Sequence, residues 1–227
     1  MENTGLWIKV VGLVVVTLVA GSLRFFDTQA QAAETPRVMG YYPSWTGLAP
    51  SQIRYEHFSH LFHAFLKAGD DGSLATQENL PSAELCRLAH EKGVKVILSL
   101  GGAGSGPAFS RMMSKPGAAD RYVSETKVLI EKYGYDGLDL DWEHPANADD
   151  RVQFIVLLRK FREKLRPGTL MSMAVASGNW TGQWLDEKPM MELLDFLNVM
   201  TYDMHGPWSA HAGYNAPLFE DPRDLED

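Results

Sequence analysis

The chain has 227 residues, of which 45% are hydrophobic and 22% are charged, a composition that is typical of a globular protein and excludes a largely disordered one. Acidic residues outnumber basic residues by 29 to 21, for a net charge of -8, and no lysine or arginine cluster stands out, so the sequence argues against nucleic-acid binding. A single cysteine, Cys86, excludes an intramolecular disulfide and a cysteine zinc cluster.

The first segment has the pattern of a secretory signal peptide. Lys9 precedes an apolar run over residues 10–20 that is short for a membrane span, and residues 30–32, Ala-Gln-Ala, have the small-x-small form of a cleavage site. We therefore predict a signal peptide over residues 1–32 and a secreted protein, extracellular or periplasmic, without stable membrane association after cleavage. An uncleaved membrane anchor is the alternative. Residues 33–227 are predicted to form one domain.

Short apolar segments alternate with longer amphipathic segments along the rest of the chain. The predicted strands are Val38–Tyr42, His60–Phe65, Val94–Leu100, Gly137–Trp142, Leu170–Ala176 and Phe196–Tyr202. The predicted helices are Ala83–Lys92, Asp120–Tyr133, Asp149–Leu165 and Pro189–Leu194. This alternation predicts a parallel sheet covered by helices.

Two parallel-sheet architectures fit that order, an open doubly wound sheet and a (β/α)8 barrel. Polar and aromatic residues follow several different strands, at 41–42, 99–102, 141–143 and 202–203, as they do in barrel enzymes. No GxGxxG follows the first strand, which weakens a dinucleotide-binding fold. We predict an α/β fold of the TIM (β/α)8 type. A barrel needs eight strands and about six are visible, so the chain is expected to be a C-terminally truncated part of a longer protein.

The segment 136–143, Asp-Gly-Leu-Asp-Leu-Asp-Trp-Glu, concentrates the acidic side chains. Alternation along a strand places Asp139, Asp141 and Glu143 on one face, about 7 Å apart, and Trp142 on the other. Closely spaced carboxyls raise one another's pKa, so protons are expected to be shared along this column, with Glu143 as a general acid. A buried acidic network or a magnesium or calcium site are the alternatives. Asp136 lies off this face and is predicted to be structural.

Four motifs in this order resemble glycoside hydrolase family 18, the chitinases. Residues 136–143 resemble its DGxDxDxE signature, and residues 99–102, Ser-Leu-Gly-Gly, resemble its SxGG motif. Residues 200–203, Met-Thr-Tyr-Asp, resemble its MxYD motif, and residues 40–42, Gly-Tyr-Tyr, resemble its opening strand. The resemblance covers residues 38 to about 220 and implies that 33–227 form a partial catalytic domain. The family's last two strands, with a tryptophan under the cleavage subsite, are absent.

The resemblance also implies a role for each residue of these motifs. Glu143 resembles the general acid that protonates the glycosidic oxygen. Asp141 resembles the residue that orients the substrate's 2-acetamido group, whose carbonyl is the nucleophile, and Asp139 its buried, proton-sharing partner. Tyr202 resembles the phenol that binds the acetamido oxygen. Asp203 resembles a further substrate-binding carboxylate.

Further substrate contacts are expected from side chains at the strand ends. Exposed aromatic faces stack on sugars. The alternation along its strand assigns Trp142 to core packing instead, whereas Trp180, Trp184 and Trp208 could either contact sugar or pack in the core. No metal and no cofactor are predicted, because the acids lie in a line and His60 and His63 point to opposite faces of one strand. The residues predicted to bind substrate are Tyr41, Phe65, Met200, Asp203 and Gly102.

The expected activity is that of a secreted chitinase. Its partner would be chitin or an N-acetylglucosamine oligosaccharide, cleaved at β-1,4 bonds with retention of configuration. Two alternatives share the same motifs: an endo-β-N-acetylglucosaminidase acting on glycans or peptidoglycan, and a non-catalytic chitin-binding relative.

Overall fold

The computed structural model describes residues 36–219 and residue 223. The predicted signal peptide, residues 1–32, lies outside these residues. The strands are β1 Met39–Pro43, β2 His60–Ala68, β3 Leu74–Ala75, β4 Lys95–Gly102, β5 Gly137–Trp142, β6 Leu170–Ala176 and β7 Phe196–Met200. The helices are α1 Ala83–His90, α2 Gly106–Ser114, α3 Ala118–Tyr133, α4 Ala148–Lys164, α5 Asn179–Gly182 and α6 Glu187–Leu193, with two short 3-10 helices, Pro50–Gln52 and Tyr55–His57.

Six parallel strands form a curled sheet in the order β1-β2-β4-β5-β6-β7, and the short β3 pairs antiparallel with β2. The curl brings β7 towards β1 and β2 across the interior. The Asn198 side-chain amide donates to the Tyr41 hydroxyl at 3.3 Å, and the rings of Phe62 and Phe196 lie 6.4 Å apart. The predicted barrel-type fold with six of eight strands is confirmed.

The helices cover the outer face of the sheet because the outward residues of each strand are apolar. On β5, Trp142 is 1% exposed, stacks on Phe109 of α2 at 5.0 Å and meets Phe154 of α4 edge-on at 5.8 Å. Truncating a side chain this well packed costs about 3–5 kcal/mol. The parity that assigned Trp142 to the core is therefore correct, and it leaves the opposite face of β5 to the carboxyls.

Two sequence expectations differ from the structure near the strand ends. Helix α2 was not predicted, because glycine and proline surround its start; Pro107 is nonetheless compatible with a first turn, where a backbone N–H has no partner in any case. Strand β7 ends at Met200, so Tyr202 and Asp203 lie in the following loop, where Asp203 has a φ of 60°. No helix within the described part of the chain has the length and apolarity to cross a membrane.

Candidate active site

A column of three carboxyls rises along the inner face of β5. The register of the sheet places Ser99 of β4 and Ser172 of β6 on either side of Asp139. Asp139 is fully buried, Asp141 is 3% exposed, and the side chain of Glu143, just after the strand, is 20% exposed. The column therefore runs from the dry interior to solvent at the carboxyl end of the sheet.

Asp139 is the anchored member of the column. Its Oδ2 accepts from the hydroxyls of Tyr41 at 2.9 Å and Ser99 at 2.8 Å, and its Oδ1 accepts from the Ser172 hydroxyl at 2.7 Å and the Asn198 amide at 3.3 Å. Burial raises the pKa of Asp139, while the four donors act in the opposite direction by stabilising the carboxylate. Two of the donors lie on the strands next to β5, and Tyr41 of β1 and Asn198 of β7 reach Asp139 across the interior of the curled sheet, so this side chain is held from both sides.

Asp141 and Glu143 form a proton-sharing pair. Burial raises the pKa of both carboxyls. The charge of Glu143 and the hydrogen bond between the two side chains further raise the pKa of Asp141, whereas this hydrogen bond lowers that of Glu143. Two carboxyls in contact cannot both ionise cheaply, so one proton is retained between them. The resemblance implied that Asp141 shares a proton with Asp139, but in this structure the four donors occupy Asp139 and Asp141 contacts Glu143 instead.

The backbone around Glu143 is fixed by the start of α2. The Ser105 hydroxyl accepts from the Glu143 N–H at 3.2 Å and donates to the Asp141 carbonyl at 3.0 Å. The Gly106 N–H donates to the Glu143 carbonyl at 2.8 Å. A helix that the sequence did not predict therefore positions the candidate acid.

The glycines that end β4 make room for an aromatic side chain. Gly102 has a φ of 89°, and a Cβ placed on it would lie 2.6 Å from the Phe65 ring. Phe65 is half-buried, 6.0 Å from the ring of Trp45 and 6.1 Å from that of Tyr41. Gly102 thus leaves the space that the Phe65 ring occupies. Trp45, which is 61% exposed, extends this aromatic surface.

A cleft of about 680 Å³ opens beside Glu143. The candidate site residues Tyr202, Asp203 and Met200 line it. Burial and the surrounding carboxyls raise the pKa of the Tyr202 phenol, so it is a hydrogen-bond donor at neutral pH. The remaining lining residues are Ala103, His144, Ala176, Ser177, Gly178, Trp180, Met204 and Trp208.

Only some of the aromatic side chains considered for sugar binding line the cleft. Trp180 and Trp208 are 65% and 66% exposed and line the cleft, whereas Trp184 is half-buried and is not among the lining residues. The hydroxyl of Tyr41 is bound to Asp139, so only its ring, beside Phe65, is left to face a ligand.

Two other polar residues considered in the sequence analysis, Asp136 and His63, form hydrogen bonds away from the cleft. Asp136 Oδ2 accepts from the Val96 N–H at 2.7 Å and contacts His90 Nε2 at 2.8 Å. His63 is buried with its Nδ1 2.8 Å from the Tyr135 hydroxyl. Among residues 36–219 and 223, no group of three or more His, Cys, Asp or Glu side chains is arranged to hold a metal ion.

Sequence reasoning missed several residues of the site. Ser172 and Asn198 are polar residues at inward-facing positions of otherwise apolar strands. This signal could have identified them as partners of the carboxyl column. Ser105 and Gly106 carried no such signal, because they lie in a glycine-rich segment whose helical start depends on packing.

Comparison with known proteins places the chain in a family. The model for glycosyl hydrolases family 18 matches residues 37–226. The chain belongs to this family. Within it, the chain is 32% identical over 209 residues to a protein described as probable chitinase 2 of Drosophila melanogaster, covering 80% of this chain and 43% of that protein. The chain spans less than two thirds of the length of the curated relatives it matches, and less than half of this one.

Solved structures of the family share the fold. The structure of Ostrinia furnacalis Group IV chitinase in complex with allosamidin matches with a TM-score of 0.75 and 28% identity, covering 83% of this chain and 57% of that one. A chitinase-like agglutinin from Robinia pseudoacacia matches with a TM-score of 0.71 and 28% identity, covering 82% of this chain and 61% of that one. Family 18 thus includes members described as chitinases and one described as an agglutinin.

Proposed function

We propose that this family 18 protein is a chitinase that hydrolyses β-1,4 bonds between N-acetylglucosamine units by substrate-assisted, retaining catalysis. The observation that carries the proposal is the position of Glu143. Its carboxyl lies at the edge of a sugar-sized cleft, in contact with Asp141 and above an anchored Asp139. The proton that Asp141 and Glu143 retain between them can be donated from Glu143 at the edge of the cleft, which is what a general acid requires.

The proposed first step is proton transfer from Glu143 to the glycosidic oxygen. The leaving sugar departs as the carbonyl oxygen of the substrate's own acetamido group bonds to the anomeric carbon, forming an oxazolinium ion. Asp141 stabilises the positive charge that develops on that group, since a carboxylate in a poorly solvated site interacts strongly with a cation. Glu143, now ionised, accepts a proton from the water that opens the ring, which retains the configuration.

The acetamido group would be held by atoms that have no hydrogen-bond partner among the described residues. Asp141 Oδ1 is buried and receives no hydrogen bond, so the acetamido N–H is a suitable donor to it. Tyr202, 47% exposed in the cleft, would donate its hydroxyl to the acetamido carbonyl and hold it for attack. Trp45, Phe65 and Trp208 would stack on flanking sugars.

A pair of variants tests the assignment. Glu143→Gln should lower kcat on N-acetylglucosamine hexamer about 100- to 10,000-fold, because the proton donor is lost, while binding measured by calorimetry persists. Glu192→Gln, at an exposed position of α6, is the matched control and should behave as the wild type.

The outcomes separate the alternatives. Full activity in the Glu143→Gln variant would refute the assignment of the acid. Binding without hydrolysis by the wild-type chain would favour a carbohydrate-binding role, and cleavage of glycoprotein glycans in preference to chitin oligomers would favour an endo-β-N-acetylglucosaminidase.

We also infer that the protein is exported, on the strength of the signal-peptide pattern over residues 1–32. Expression of the full chain followed by N-terminal sequencing of the extracellular or periplasmic product tests this. Cleavage directly after Ala32 is expected, and a product that keeps Met1 or stays within the cell would refute it.

A further inference from the structure

His144 lies against the candidate acid. Its Nε2 is 3.5 Å from Glu143 Oε2, and both side chains are 20% exposed. Asp141 contacts the carboxyl of Glu143 as well, so that carboxyl lies between a second acid and an imidazole. The backbone between Glu143 and His144 is held by α2: a Cβ on Gly106 would lie 2.8 Å from both the Glu143 carbonyl oxygen and the His144 nitrogen.

Trp180 holds the imidazole in this position. The two rings meet edge to face, with centroids 5.0 Å apart and an interplanar angle of 79°. The indole in turn packs against the chain at Gly178, where a Cβ would lie 2.6 Å from the Trp180 ring. His144 is therefore confined between an aromatic face and the carboxyl of Glu143.

The titratable groups that face this pair come from two elements. Asp141 approaches from β5, and Asp203, whose charge raises the pKa of Glu143, approaches with Tyr202 from the loop after β7. The contacts from α2 are made by the hydroxyl of Ser105 and the backbone of Gly106, which are uncharged. Among these groups, Glu143 is the carboxyl that the imidazole of His144 contacts.

We propose that His144 is a positioning residue for this reaction, which orients the Glu143 carboxyl towards the leaving group and shares its proton. The inference rests on the proposed function of Glu143 as the general acid. The imidazole contacts one carboxyl oxygen, which limits rotation of the carboxyl while Asp141 contacts the same group. A general acid held in one orientation donates its proton with less reorganisation.

The proton balance follows from the contact. Burial lowers the pKa of His144 and raises that of Glu143, which brings the two groups closer to sharing one proton. A protonated imidazole favours the ionised form of Glu143, so it lowers the pH at which the acid loses its proton. Replacing His144 by a side chain that does not titrate should therefore extend activity to higher pH.

Kinetics on two variants separates orientation from proton sharing. For His144→Gln, which keeps a donor but does not titrate, kcat should stay within about 3-fold of wild type and the alkaline limb of kcat/KM should move up by about 0.5 to 1 pH unit. His144→Phe should show the same shift and lose about 10-fold in kcat with little change in KM, because the carboxyl is no longer held. Trp184→Ala, outside the cleft lining, should change neither.

Proton titration by NMR tests the contact without any substrate. The imidazole resonances of His144 in the full chain are followed against pH in the wild type and in Glu143→Gln. The midpoint should fall by about 0.5 unit or more in the variant, since the carboxylate that stabilises the imidazolium is gone. His63, which is buried against Tyr135 and away from Glu143, is the internal control and should not move.

The results distinguish the two proposals. An unchanged His144 midpoint, or an unchanged alkaline limb in His144→Gln, overturns the role of His144. A wild-type chain that does not hydrolyse chitin oligomers while the His144 midpoint shifts in Glu143→Gln refutes the proposed function and leaves the proton-sharing contact established.

Discussion

A methyl group added at Gly106 should displace the candidate acid. Gly106 begins α2 and donates its N–H to the carbonyl of Glu143 at 2.8 Å. In Gly106→Ala the new Cβ would lie 2.8 Å from that carbonyl oxygen and from the backbone nitrogen of His144, whereas ordinary contacts begin at 3.4 Å. Both neighbours are backbone atoms, so the chain has to move by about 0.6 Å, the difference between these distances.

The size of the effect follows from this displacement. Overpacking of this kind costs about 1–3 kcal/mol of folding free energy. A misplacement of about 1 Å can lower a rate 100-fold, so a shift of about 0.6 Å at Glu143 should lower kcat/KM about 10-fold or more. Activity should therefore fall at temperatures where the variant is still fully folded.

Hydrolysis of N-acetylglucosamine hexamer at 25 °C, together with urea unfolding, provides the assay. Gly104→Ala is the matched control: its φ of 74° strains an alanine by about 1–2 kcal/mol, but no atom lies within 4 Å of the added Cβ. It should lose stability and keep its activity. Wild-type kcat/KM in Gly106→Ala, or equal losses of activity in the two variants, would refute the reasoning.

Three further predictions concern other parts of the molecule. Burial lowers the pKa of His63 from an ordinary 6.5 to about 4, so on acidification the unfolded chain takes up this proton before the folded chain does. The free energy of unfolding should therefore fall by about 3 kcal/mol as the pH drops from 6.5 to 4. In His63→Gln, urea unfolding at pH 7 and at pH 4.5 should show a smaller difference. Asp136→Ala removes the acceptor of the Val96 N–H and should cost about 1–3 kcal/mol of stability, measured by urea unfolding, with unchanged kcat. Trp208→Ala should weaken hexamer binding about 5-fold by calorimetry, and unchanged affinity would exclude stacking there.

The sequence predicted the fold, and which side chains of β5 face inward, because both depend on local periodicity. Alternation along β5 correctly separated Asp139 and Asp141 from Trp142, and the six parallel strands follow the predicted segments to within a few residues. Helix α2 escaped prediction because its start is rich in glycine and proline, and it forms where Phe109 can pack against Trp142. Local propensity does not report such a long-range contact.

The sequence alone selected the candidate catalytic residues, because the two-residue alternation of a strand and four ordered motifs together indicate one face of one strand. Tertiary structure alone decided how those residues are paired. The register of β4 and β6 with β5 brought Ser99 and Ser172 to Asp139, and the curl of the sheet added Tyr41 and Asn198. Asp141 was left in contact with Glu143, and Trp180 packs against His144 beside that acid. Tyr41, Ser99 and Ser172 are far from Asp139 in the chain, and only the folded arrangement brings their hydroxyls within hydrogen-bonding distance of it.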